Sequence, residues 1–188
     1  MNHSGIDNSA YGDYKMKLHL GCGPRYINGW TNVDWSSKYK VDISLNLEKD
    51  RLPFEKDTVD EVISSHLIEH LDRWGGEHHL SEIHRVLKKG GKFTLAFPDL
   101  AKIVDCYEGR DKSVLKFKGK DTWLVEAIFE THRNETVVHK YGYTESTMKT
   151  LLLNKGFGAV KVITQPLVIN GDRICDYRYA ITILEITK

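Results

Sequence analysis

The chain has 188 residues, 40% hydrophobic and 28% charged, a make-up that fits one globular domain and excludes a disordered or fibrous protein. Lysine and arginine number 27 against 26 aspartates and glutamates, and the resulting net charge of +1 leaves no electrostatic footprint for nucleic acid or an anionic membrane. No apolar run approaches the roughly 18–20 residues of a membrane span, and the polar start MNHSGIDNSAYGDYK lacks the apolar core of a secretory signal.

Residues 1–16 are polar and aperiodic and are expected to form a tail, with 17–188 folding as a single domain. Lys17–Leu20 reads as a short strand running into Gly21-Cys22-Gly23-Pro24. Thr31–Asp34 reads as a second strand, ending in an acid, and 41–43 as a third. Residues 60–65 and 92–97 are clearer strands, the latter stopped by Pro98. Between them, Leu80, Ile83, Val86 and Leu87 predict a helix over 75–88 that stops at Gly90-Gly91. The stretch 112–130 is expected to be helical, with a break near 117–121. Residues 145–155 predict a further helix, N-capped by Thr144 and stopped by Gly156. Two strands, 159–164 and 179–186, complete the pattern, with a turn at Asn170-Gly171-Asp172 between them.

This alternation predicts a three-layer α/β fold with a mostly parallel sheet. Only ten residues separate Leu20 from Thr31 and six separate Asp34 from Val41. Both are shorter than a helical crossover needs, so the first crossover helices are expected to be shortened or missing. Tyr26, Trp30, Trp35 and Tyr39 fall at that thinly covered edge, where they would cover the sheet or form a homodimer contact. Cys22, Cys106 and Cys175 form no CxxC pair, and their odd count predicts reduced thiols and a cytoplasmic setting.

The chemistry begins at Leu20-Gly21-Cys22-Gly23. Glycines after a strand let the backbone approach a ligand, and ligands in open α/β sheets sit beyond the C-terminal strand ends. Asp34 ends the next strand on the same rim, where a carboxylate can accept two ribose hydroxyl bonds. The pattern points to a nucleoside site. A dinucleotide fingerprint fails because position 26 is tyrosine, and no Walker-type GxxxxGK[ST] is present.

The run Leu18-His19-Leu20-Gly21-Cys22-Gly23-Pro24, followed by Gly29-Trp30-Thr31-Asn32-Val33-Asp34, resembles the first motif of class I S-adenosylmethionine-dependent methyltransferases. It is most similar to their compact branch. Leu52-Pro53-Phe54, Val59–Val62, Ser65–Leu71, Glu82–Gly91 and the late Leu151-Leu152 with Gly156-Phe157 resemble further family blocks in the family's order. The resemblance implies a Rossmann-like seven-stranded sheet with an antiparallel last strand, and S-adenosylmethionine as cofactor, leaving S-adenosylhomocysteine as product. It further implies that Gly21, Cys22 and Gly23 pack on the methionine and ribose, and that Asp34 holds the ribose hydroxyls with Trp35 beside the adenine. Asn46 and Leu47 would face the adenine edge, and Ser65 and His66 would border the transferred methyl. The family often has an acid where Asn46 stands.

A sulfonium methyl is already electrophilic, so the protein must align a nucleophile and exclude water, and no metal is expected. His139, then His132, are the candidate bases, with Tyr141 beside them, since imidazole titrates near neutral pH. The expected acceptor is a small molecule or a sugar-like hydroxyl, with no nucleic acid and no membrane as partner. Two other readings stay open. One is a nucleoside-binding module without turnover that acts through protein contacts. The other is a zinc hydrolase built on His66-x-x-Glu69-His70, which on a helix would set two histidines one turn apart, with a third ligand from His78, His79 or His84.

Overall fold

The computed structural model describes residues 15–36, 38–110, 120–130, 138–175 and 180–188. Four short parallel strands start the domain: β1 (Lys17–Leu20), β2 (Thr31–Asp34), β3 (Ile43–Ser44) and β4 (Val59–Ser65). Helix α1 (Arg73–Val86) leads into the long β5 (Leu87–Pro98), and α2 (Leu100–Tyr107), α3 (Lys120–Phe129) and α4 (Glu145–Asn154) follow. The last strands are β6 (Val160–Ile163), β7 (Leu167–Ile169), β8 (Asp172–Cys175) and β9 (Ile181–Thr187). Seven strands form one sheet in the order β3-β2-β1-β4-β5-β9-β6, and β9 runs antiparallel to both β5 and β6. This is the expected mostly parallel sheet with an antiparallel last strand.

Local chemistry sets the element ends. The Asp72 side chain accepts from the Gly75 amide at 2.7 Å and starts α1, whose Leu80, Ile83 and Val86 face the core. The helix stops at Val86, four residues before the glycine pair predicted to end it, because Leu87 turns extended and opens β5. Gly90 and Gly91 lie inside that strand. Thr144 caps α4 as expected, in a reciprocal capping box with Thr147. Helix α2 was not foreseen. Its N-cap Asp99 is buried and also accepts from the Glu145 amide at 3.0 Å and from the Thr182 hydroxyl at 2.7 Å. One carboxylate thereby ties α2, α4 and β9 together at the C-terminal rim of the sheet. Part of the predicted 112–130 helix, 112–119, lies outside the described residues.

Among the described residues no helix joins β1 to β2 or β2 to β3, as the loop lengths require. The exposed sheet face is closed instead by a β7–β8 hairpin turning at Asn170-Gly171. Ile174, Leu167 and Ile169 pack there on Ile27, Trp30 and Ile63. Trp30 is therefore a core residue, while Trp35 and Tyr39 stay exposed. No helix among the described residues is long and apolar enough to cross a membrane.

Candidate active site

The glycine turn after β1 is held against β2 by the Gly21 amide, which donates to the Val33 carbonyl at 2.8 Å. Gly21 (φ 70°) and Gly23 (φ 51°) both take the left-handed conformation. A Cβ on Gly21 would stand 2.9 Å from Leu67 Cβ, so this glycine serves close packing of the turn on the segment after β4. A Cβ on Gly23 would meet nothing within 4 Å, so the backbone here faces open space. Asp34 Oδ2 accepts from the Gly23 amide at 2.9 Å and Oδ1 from the Ser36 amide at 2.8 Å. Each oxygen keeps an acceptor position for a further donor. Trp35, 59% exposed, follows it directly.

Three of the expected cofactor residues have different surroundings from these. Cys22 is buried, and burial together with the nearby Asp34 charge pushes its thiol up to about 11, so it packs and does not react. Asn46 turns its side-chain oxygen back to the Glu48 amide at 3.0 Å. The Leu47 side chain lies in the main core, which leaves only its backbone to face a ligand.

Ser65 and His66 stand at the end of β4. Both Ser64 Oγ and Ser65 Oγ are buried without a hydrogen-bond partner among the described residues. His66 is a non-glycine residue at φ 53°, a costly conformation that aims its ring between two partners. Its Nδ1 lies 3.2 Å from Glu69 Oε1 and its Nε2 3.4 Å from Cys175 Sγ. Burial opposes its charge, but Cys175 and Glu69 outweigh burial and push its pKa up to about 10. The segment after it is a loop and a single 3-10 turn, Ile68–His70, not an α-helix. His66 and His70 therefore do not share a helix face, and the zinc-hydrolase geometry is not formed.

The segment before α4 brings His139, Lys140 and Tyr141 to this rim. The Lys140 and Tyr141 amides donate to the Glu69 carbonyl at 2.8 and 3.2 Å, and the Leu100 amide donates to the Tyr143 carbonyl at 2.9 Å. His139 is thereby set beside His70, with ring centroids 5.0 Å apart. Its Nδ1 lies 3.2 Å from the Ile128 carbonyl, and its Nε2 lies 3.6 Å from Glu130 Oε2. Tyr141 is partly exposed and stacks edge-on with Tyr143 at 5.0 Å. His132 lies outside the described residues. The sequence reading missed Glu69 and His70 as neighbours of His139. The only signal was the Glu-His pair itself, since the contact spans about 70 positions and depends on docking of the later loop.

A family model described as a methyltransferase domain matches residues 31–95. No curated protein matches the chain. Solved structures with the same fold include an S-adenosylmethionine-dependent methyltransferase of Archaeoglobus fulgidus, 15% identical over 93% of this chain and 86% of that one, with a TM-score of 0.58. Another, from Mesorhizobium loti, is 17% identical over 92% and 90% of the two chains, with a TM-score of 0.57. A third, from Thermotoga maritima, is 16% identical over 92% and 82%, with a TM-score of 0.58. The architecture is the Rossmann-like methyltransferase fold. The cofactor these matches imply is S-adenosylmethionine. The residues present fit it: open space over Gly23, spare acceptor positions on Asp34 and the orphaned hydroxyl of Ser65 all lie at the C-terminal ends of neighbouring strands.

Proposed function

We propose that the chain transfers a methyl group from S-adenosylmethionine to a small-molecule or sugar-like acceptor by direct in-line displacement. The observation that carries this reading is the bond from the Gly23 amide to Asp34, which joins the glycine turn and the acid into one open cradle. When bound, S-adenosylmethionine supplies an electrophilic methyl on a sulfonium. In the transfer, the acceptor's lone pair forms the new bond to the methyl carbon, the carbon–sulfur bond breaks and its electron pair stays on sulfur. The residues of this chain do the rest. Asp34 accepts from the ribose hydroxyls, and the glycine turn admits the cofactor's chain. Ser65 and His66 border the amino-acid end, and the loop at 138–143 closes the acceptor side and excludes water. A hydroxyl acceptor must also lose a proton, and the imidazole of His139 is the candidate to take it.

The exposed rings of Trp35 and Tyr39 support a homodimer contact beside β2. Cys22 and Cys175, both buried and in no disulfide, fit a reducing cytoplasm. Calorimetric titration with S-adenosylmethionine and S-adenosylhomocysteine tests the central reading. One-site micromolar binding is expected, and no binding by folded protein would overturn it. Tight binding without turnover in the presence of any acceptor extract would favour a cofactor-holding module.

A further inference from the structure

The geometry points to a divalent transition-metal site formed by Glu69, His70 and His139, with zinc or manganese as the chemical type. It rests on the methyl-transfer reading only for its use, not for its existence.

One ligand atom from each of the three residues lies within 4.8 Å of the others. A tetrahedron of ligands at zinc distances has edges of about 3.4 Å, so small side-chain rotations close the cluster on an ion. Glu69 is only 3% exposed, and neither carboxylate oxygen has a well-aligned hydrogen-bond donor among the described residues. A buried carboxylate in that condition is costly unless a cation answers it. His66 lies 3.2 Å from Oε1 as an ion-pair partner and answers that oxygen alone, which leaves Oε2 without a partner among the described residues.

The two histidines are arranged as ligands. His70 Nδ1 is 3.1 Å from the Val138 carbonyl and His139 Nδ1 is 3.2 Å from the Ile128 carbonyl. A carbonyl only accepts, so both Nδ1 atoms donate, and the Nε2 atom of each ring is the one left to face a metal. Backbone carbonyls that fix the tautomer in this way are the usual outer partners of metal-bound imidazole. The Glu130 carboxylate, 3.6 Å from His139 Nε2, adds negative charge. The nearby cation Lys140 is held away, with its Nζ 2.9 Å from Glu48 Oε2.

Two imidazoles favour a borderline ion such as zinc over calcium, and the carboxylate keeps the harder manganese in range. Three protein ligands leave at least one coordination position open, as in sites that act on a bound oxygen rather than in closed structural ones. At the acceptor side of the rim, such an ion would lower the pKa of a coordinated acceptor hydroxyl, whose proton is released to solvent as the acceptor binds, before water is excluded. His139 is then a ligand rather than the base.

The test uses chelator-stripped full-length protein titrated with zinc chloride, then with manganese chloride, and separately with S-adenosylhomocysteine. One ion per chain is expected. His70→Gln and His139→Gln should each weaken it on the order of 100-fold, while His78→Gln leaves it unchanged. Cobalt loaded into the unaltered protein should give the visible bands of a low-symmetry nitrogen–oxygen site, a readout that survives if a variant misfolds. No stoichiometric ion in the unaltered protein, or full binding by the doubly substituted protein, overturns the site. Metal binding without S-adenosylhomocysteine binding would instead sink the cofactor reading, and the converse would return His139 to the role of base.

Discussion

The Asp34 carboxylate accepts from the Gly23 amide at 2.9 Å, so the acid that ends β2 also sets the shape of the turn that ends β1. Asp34→Ala removes the hydroxyl acceptors and loosens the cradle. Two charge-assisted bonds are together worth about 3 kcal/mol, on the order of 100-fold in Kd. S-adenosylhomocysteine affinity should fall by that amount with the circular-dichroism spectrum unchanged, and Asp34→Asn should fall between. Unaltered affinity would place the ribose elsewhere.

Gly21 is under two separate constraints, its φ of 70° and the approach of Leu67 at 2.9 Å. Gly21→Ala should destabilise the fold by about 3 kcal/mol, combining left-handed strain with overpacking. Thermal melting should drop by roughly 6–12 °C for a domain of this size. Adding Leu67→Ala removes the two methyl contacts but keeps the Cβ contact at 2.9 Å, so only partial recovery is expected in the double variant. Full recovery would show that backbone conformation plays no part.

His79 is buried in α1, and burial lowers its pKa to about 4. The folded form resists protonation while the unfolded chain accepts a proton below its ordinary 6.5. This contribution to stability is therefore complete above pH 6.5 and is lost as pH falls towards 4, about 3 kcal/mol in all. Urea titrations across that range should show a shallower acid loss for His79→Leu than for the unaltered protein. Parallel curves would mean that His79 takes up its proton in the folded state without penalty.

The β7–β8 hairpin replaces the missing crossover helices, and Ile174 is its buried anchor against Trp30. Ile174→Ala should cost about 2–5 kcal/mol through the cavity it leaves. Indole fluorescence should become more accessible to acrylamide as Trp30 loses its cover. Quenching identical to that of the unaltered protein would show that the hairpin is not what shields the ring.

What could be read beforehand follows local rules. Gly21, Gly23, Asp34 and the Thr144 cap each announce themselves within a few residues, because turn geometry and capping are short-range. The loop lengths after Leu20 and Asp34 likewise exclude crossover helices by reach alone. Gly90-Gly91 misled, because an extended Leu87 ended α1 first in order to pair β5 with β4. Helix α2 hid behind Pro98, since its cap Asp99 gains its other partners from Glu145 and Thr182, far along the chain. The cluster of Glu69, His70 and His139 was illegible for the same reason. It exists only once the backbone at Lys140 and Tyr141 has docked on the Glu69 carbonyl.

The position of β9 has a consequence for how the molecule is made. It lies between β5 and β6 and, among the described residues, is the only partner of β6 in the sheet. During synthesis β6 emerges first and must wait, unpaired, until residues 181–187 clear the ribosome. The same delay applies to Asp99, whose Thr182 partner sits on β9. The rim that is read here as the active site can therefore reach its final shape only after that strand has been inserted.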